Sequence, residues 1–371
     1  LIGNGLLTSE PPFHRRQRRM VQPGLHHRRI AAHADWMAVA ADRAQRRWSE
    51  DVVLDLHREM INATLTVVAK SLFDADIEST EPTGFEEDVA AALRRFDRLT
   101  GADARVTQAE RHPTGDALEE AKDHFNQVFY AELEERRRAG EDRGDLLSMM
   151  LAARDEEGRA MTDLQLRDEV ATLFVAGHET TATALTWAWY LLSINPEAEA
   201  GLHEEVDRVL GDRLPTFDDL SSLVYTRRVL AETIRLYPPV WSISRVVLEE
   251  HEMAGYTIPA GALVVVSPYL IHRDPRWYLE PERFDPGRWT DEEQEKRPKF
   301  SYFPFGAGPR VCVGESFAWM EATMVLSTMA RRWQMRLVEG HSAVLDPKIT
   351  IRRLAEDQAF GVRMHLRRRR P

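Results

Sequence analysis

The sequence predicts a mainly α-helical fold with a small β-sheet region in its second half. Most of residues 14–237 carry apolar side chains at helical spacing. Residues 241–268 instead alternate, are rich in β-branched side chains and are broken by turn signals. The chain has 371 residues, 43% of them hydrophobic and 29% charged, enough apolar material for a large buried core. No Pro/Gly/Ser-rich linker or repeat divides it, so one domain over residues 1–371 is expected.

The elements follow in order. Residues 51–72 place Val52, Leu56, Met60, Leu65 and Val68 near one helical face. Residues 114–139 form a long amphipathic helix with a Glu/Arg-rich end, stopped by Gly140. Asp163 is placed to cap a helix that runs through ATLFVAGHETTATALTWAWYLL to Asn195-Pro196. Its middle is apolar nearly all round, so it should pass through the core. A helix over about 223–237 ends at Pro238-Pro239. Strands and loops fill 238–309, with turns at Ala254-Gly255 and Pro259-Ala260-Gly261 and a Pro-rich, loop-like stretch over 272–309. A helix over about 315–333 and short strands from 334 complete the chain.

Composition excludes several classes. The formal net charge is −11, so nucleic acid is not expected as a main partner. Arg15, Arg16, Arg18 and Arg19 form a basic cluster, and Arg367 to Arg370 read as a solvated strand end. The single cysteine, Cys312, excludes an intrachain disulfide and Cys-clustered zinc or iron–sulfur sites. Apolar windows such as 259–271 are too short for a membrane span, which needs ~20 residues. A reducing, cytoplasmic location is expected. No signal peptide is visible, and the opening LIGNGLLTSE reads like the interior of a longer protein.

The strongest chemical signal is Phe305-Gly306-Ala307-Gly308-Pro309-Arg310-Val311-Cys312-Val313-Gly314, followed directly by a helix. A thiol at a helix amino terminus is expected to favour its thiolate form. Gly308 and Gly314 remove side chains where a flat ligand would lie close to backbone, and Arg310 can pair with a carboxylate on its rim.

A second signal lies in the long helix. Ala176 and Thr180 are four apart and share a face. Thr180 can bond back to the carbonyl of residue 176. Ala176 and Gly177 leave room for a diatomic ligand, and Glu179 puts a titratable group beside the hydroxyl, which suggests proton delivery. His178 reads as a packed or solvated side chain; a metalloprotease pair fails, because the second His would fall at Ala182. Third, Glu232 and Arg235 can pair across one helical turn. Fourth, His14 and Arg18 are four apart on a probable helix, with Arg15 and Arg19 pointing elsewhere.

These segments resemble the cytochrome P450 family. The Cys312 loop is similar to F-x-x-G-x-R-x-C-x-G at every fixed position, through Phe305, Gly308, Arg310, Cys312 and Gly314. Residues 176–180 resemble the family's A/G-G-x-D/E-T segment, and Glu232-Thr233-Ile234-Arg235 its E-x-x-R motif. Residues 272–275 and 281–284 also match. The resemblance covers nearly the whole chain, although family members carry a further amino-terminal segment.

The resemblance implies a cytochrome P450 fold, with the long central helix crossing a haem b and Cys312 as its axial ligand, pushing electron density to the iron. Phe305 would pack beside the sulfur, with Gly306 and Gly314 in the same loop. Ala176 and Gly177 would lie against the haem, with Thr180 and Glu179 delivering protons. His14, Arg18, Arg245 and Arg310 would meet the propionates. Glu232, Arg235 and Arg283 would form a buried ion network locking the loop.

It also implies a monooxygenase acting with dioxygen on a hydrophobic small molecule walled by Leu7, Phe174, Val240, Trp241 and Ser242. No flavin or nicotinamide fingerprint is present: Gly3-Asn4-Gly5 and Gly306-Ala307-Gly308 each lack the third glycine. Electrons would come from a separate ferredoxin or flavodoxin, met by a basic face of Arg15, Arg16, Arg19, Arg331 and Arg332. A peroxide-driven relative and a non-catalytic haem binder are the alternatives. The Thr180–Glu179 pair weighs against the first, and substrate-dependent oxygen consumption separates the second.

Overall fold

A computed structural model describes residues 2–80, 84–100, 115–341, 344–347, 351–354 and 362–369. The first helices are α1 (Phe13–Val21), the single turn α2 (His27–Ile30), α3 (Ala34–Arg46) and α4 (Leu56–Phe73). Next come α5 (Gly84–Thr100), α6 (Gly115–Ala139), α7 (Leu146–Ala152) and α8 (Asp163–Ile194). The helical half closes with α9 (Pro196–Leu210) and α10 (Val224–Leu236); later come the short α11 (Pro268–Ile271) and α12 (Asp291–Glu295), then α13 (Glu315–Ala330).

The helix starts refine the sequence reading. Residues 51–55 are not helical: β1 (Val53–Asp55) pairs there with the last strand, and the Asp55 carboxylate then caps α4 by accepting Arg58 N–H at 3.3 Å. Thr162, not Asp163, is the N-cap of α8. Its hydroxyl accepts Gln165 N–H, and the Gln165 side chain accepts Thr162 N–H, a closed capping box that fixes where the longest helix begins. Pro196 cannot continue α8 and instead opens α9.

The strands are short and antiparallel. β1, β6 (Trp333–Leu337) and β9 (Arg363–Arg368) form one sheet in the order β1-β9-β6. β2 (Ile243–Val246) pairs with β5 (Leu263–Val266), β3 (His251–Met253) with β4 (Tyr256–Ile258), and β7 (Val344–Pro347) with β8 (Ile351–Leu354). The predicted Ala254-Gly255 turn closes the β3–β4 hairpin with both residues at positive φ. The tail arginines are partly anchored: Arg369 reaches Asp207 at 2.6 Å and the Ala330 carbonyl at 2.8 Å, while Arg370 lies outside the described residues.

Two apolar clusters build the core. One gathers α1, α3, α4, α7 and the first half of α8; the other gathers the second half of α8 with α9, α10, α13 and the β1-β9-β6 sheet. Helix α8 runs through both, as its all-round apolar middle requires. No described helix is long and apolar enough to cross a membrane.

Candidate functional site

The site begins where buried α8 opens. Phe174, His178 and Glu179 are buried, but Ala176 is exposed and Gly177 and Thr180 are half-exposed. These three share a face at i, i+1 and i+4 with Leu173, one turn earlier and also half-exposed. A strip of small residues thus borders open space in mid-helix. Thr180 Oγ1 donates to the Ala176 carbonyl at 2.7 Å, as its spacing predicts. His178 is packed: its Nδ1 lies 2.8 Å from the Phe174 carbonyl and its ring stacks on Phe174. Phe174 is therefore a core residue, fully buried, and does not line the opening, whereas Leu173 is half-exposed. Helical phase alone separates the two, because Leu173 lies three before Ala176 and Phe174 only two.

Cys312 stands at the head of α13. Its N–H donates to the Phe305 carbonyl at 2.9 Å, which closes the loop into a narrow hairpin. Gly306 and Gly308 lie at φ +73° and +70°, where other residues would be strained; a Cβ at Gly308 would meet nothing, so it is the turn and not crowding that needs glycine there. Gly314 caps α13, and a Cβ there would lie 3.9 Å from Cys312 Sγ. The Phe305 ring tilts against Trp319, which steadies the loop from below.

The thiol is exposed. Burial pushes the Cys312 thiol up, against the pull of the Gly314 N–H and Arg18. The helix terminus alone therefore does not produce the thiolate, contrary to the sequence expectation. A bound metal cation would, since coordination deprotonates a thiol outright.

Three cationic or ionisable side chains converge on this loop. Arg18, from α1, donates to the Val311 carbonyl at 2.6 Å, one residue before Cys312. Arg310 donates to the Ser9 carbonyl at 2.6 Å and pairs with Glu10 at 2.7 Å. His14 is buried between them: its pKa is lowered first by burial, then by Arg310 and Arg18. Arg245 stands apart. Its guanidinium is exposed and bonds the Ser244 carbonyl, but it lies two residues along β2 from Ile243, whose Cδ1 comes within 3.5 Å of a Cβ built at Gly306. Alternation along the strand puts Ile243 and Arg245 on one face. A single soft donor with flanking cations suits an anionic-rimmed, iron-containing ligand.

The loop is held from behind by an ion network. Arg235 is fully buried and uses all five donors. It forks onto both Glu232 oxygens at 2.8 and 2.9 Å and reaches the carbonyls of His272, Pro281 and Arg283 at 2.9, 2.7 and 3.1 Å. The third member is Arg288, not Arg283. Arg288 Nε lies 3.2 Å from Glu232 Oε1, whereas the Arg283 side chain sits at the surface on Glu280. The turn Pro286–Trp289 points Arg288 and Trp289 inward, and Trp289 Nε1 also donates to Glu232, at 2.9 Å.

Sequence reasoning also left His272 without a role. Its Nε2 accepts the Phe303 N–H at 3.0 Å, two residues before the loop begins; burial lowers its pKa to about 3, so it is neutral. Glu321, on α13, lies against Thr181 fully buried, and burial pushes its carboxyl well above its ordinary range. One acidic residue inside the apolar run of α13 was its sole signal.

The remaining expected wall residues are Leu7, strongly exposed, and Val240, Trp241 and Ser242, all near the surface after the Pro-Pro turn. The predicted basic face is largely neutralised. Arg16 pairs with Asp155 at 2.7 Å, Arg19 pairs with Glu156, and the Arg331 side chain is buried near Asp42. Arg332 pairs with the same Asp42 at 3.2 Å while staying partly exposed, and Arg15 remains an exposed charge of that face.

The sequence profile described as "Cytochrome P450" matches residues 2–350. The chain is 40% identical over 357 residues to the cyclooctatin synthase of Streptomyces melanosporofaciens, covering 95% of this chain and 77% of that protein. It is 36% identical to the cyclooctat-9-en-7-ol 5-monooxygenase of the same organism, covering 92% and 74%. It is 34% identical to the pentalenene oxygenase of Streptomyces avermitilis, covering 90% and 74%. Its fold is similar to the crystal structure of the cytochrome P450DA heme domain, with a TM-score of 0.85 at 28% identity, covering 100% of this chain and 81% of that one.

Proposed function

The chain belongs to the cytochrome P450 family and is a monooxygenase of that family, and from that premise we propose that it hydroxylates or epoxidises a hydrophobic small molecule with electrons from a separate protein. The balance is one dioxygen, two electrons and two protons per substrate; one oxygen atom enters the substrate and the other leaves as water. Haem b, held by the Cys312 thiolate, would supply the oxygen chemistry when bound.

The chain's own residues bind, orient and move protons. Arg18, Arg310 and His14 would hold the acidic rim of the cofactor beside the loop, with Arg245 meeting it from β2. The Glu232–Arg235–Arg288 network keeps the loop from shifting under its ligand, because every buried charge in it is paired. Ala176 and Gly177 leave a notch that admits dioxygen. The Thr180 hydroxyl, which donates to the Ala176 carbonyl, would pass a proton there, with Glu179 as its source. Leu7, Leu173, Val240, Trp241 and Ser242 would present a mainly apolar wall, which favours an apolar substrate over a sugar or nucleotide.

The exposed Cys312 thiol, on a loop that Arg18 and Arg310 hold, carries this reading. Its test is oxygen consumption by haem-loaded protein with a ferredoxin or flavodoxin system, using cyclooctat-9-en-7-ol and pentalenene as probes. Consumption that rises with one of them and yields an oxygenated product supports the reading; consumption independent of every apolar probe counts against it. An acidic donor docking on the basic face around Arg15 would reduce the protein more slowly as salt is added.

A further inference from the structure

The opening Gly3-Asn4-Gly5 has no part in the chemistry above, yet it makes a close backbone contact. Residues 3–9 lie across the start of α8. Asn4 N–H donates to Asp168 Oδ2 at 2.7 Å, and Leu6 N–H donates to Glu169 Oε2 at 3.0 Å. A Cβ at Gly3 would overlap the Asp168 carboxylate. One at Gly5 would overlap Thr172 Oγ1 and come within 2.7 Å of the Asp168 carbonyl. Only glycine lets this strand of backbone settle so closely on the helix. At the other end, the Ser9 carbonyl accepts from Arg310 at 2.6 Å.

We propose that Asp168 and Glu169 are positioning residues that fasten the substrate-facing segment to α8, so that Leu7 is strung between Glu169 and Arg310 at a fixed place on the pocket mouth. The inference rests on the reading of Leu7 as substrate-facing. Two consecutive acceptors meet the amides of residues 4 and 6, and the segment then turns on itself, with the Thr8 and Ser9 N–H groups donating to the Gly5 carbonyl at 3.1 and 2.9 Å. Asp168 is itself held by Arg167 at 2.9 Å, so its oxygens cannot swing away.

Burial pushes the Glu169 carboxyl up to about 7, outweighing the Leu6 N–H, with Asp168 adding to the rise. Residues 2–9 carry no charged side chain, so Asp168, paired with Arg167, is the charge that faces Glu169. Release of the segment would wet Glu169 and return it toward the ordinary carboxylate range. Docking then takes up a proton between those two values, and the fastening loosens as pH rises toward about 7 and is level above it.

The test is hydrogen exchange of the 2–9 peptide in haem-loaded protein, with rates corrected for intrinsic pH dependence. Glu169→Leu and Gly5→Ala should each speed exchange at least about tenfold, a change of about 1.4 kcal/mol. Glu169→Gln should keep protection near wild type but lose its pH dependence. Unchanged exchange in Glu169→Leu and Gly5→Ala, or a wild-type pH profile in Glu169→Gln, would overturn the proposal. The reduced, carbon-monoxide-bound spectrum is recorded on the same samples. A thiolate-type band with unchanged exchange sinks the fastening alone, whereas its absence from wild type sinks the family reading of the site and leaves the exchange result standing.

Discussion

Arg288 Nε lies 3.2 Å from Glu232 Oε1, and this contact completes the buried charge cluster behind the cysteine loop. Glu232 is fully buried and also receives Arg235, the Asp285 N–H and the Trp289 indole. Arg288→Leu would leave part of that negative charge uncompensated, at a cost of about 3–5 kcal/mol. Arg283→Leu removes only a surface pair with Glu280, worth about 0–1 kcal/mol. Thermal denaturation of the two variants should show a large loss of stability for the first and almost none for the second.

His272 makes the same region acid-sensitive. Its folded pKa of about 3 lies below the ordinary value of 6.5, so the unfolded chain takes up a proton first as pH falls. Its contribution to stability is full above 6.5 and is lost progressively between 6.5 and about 3. Denaturant titrations over that range should fall less steeply for His272→Gln than for wild type. Equal slopes would show that the imidazole is not held neutral.

Thr180→Ala removes the hydroxyl from the open face of α8 while leaving the buried side untouched. Product formed per dioxygen consumed should fall by about 10²-fold, the lower end of what a positioned proton donor contributes. Thr181→Ala, whose buried hydroxyl turns to the Gly177 carbonyl, serves as the control and should change the ratio little. An undiminished ratio in Thr180→Ala would instead favour peroxide-driven chemistry.

Leu7 projects from a segment fastened at both ends, so enlarging it should redirect the substrate rather than disturb the cofactor. Leu7→Phe is expected to change the product pattern more than the haem content. Product ratios identical to wild type would remove Leu7 from the wall.

Much of this was legible because it is written in local spacing. Gly306 and Gly308 announce a turn, Ala176 and Thr180 a shared face, and Asn195-Pro196 a helix end. What was not legible depends on facing. Phe174 and Leu173 are equally apolar, and only the direction of the rest of the core decides which one meets the opening. Arg283 and Arg288 are both near the end of the same loop, and the turn at Pro286 selects the one that reaches Glu232. The expected basic face carries less free charge than the sequence suggests for a similar reason: Asp155, Glu156 and Asp42 arrive from distant parts of the chain and pair with its arginines.

The most direct measurement is the absorption spectrum of the reduced, carbon-monoxide-bound, haem-reconstituted protein beside its Cys312→Ser variant. A strongly red-shifted Soret band in the wild type that is absent from the variant is the predicted outcome. A wild type without that band, or a variant that keeps it, would contradict the assignment of Cys312 as the ligand.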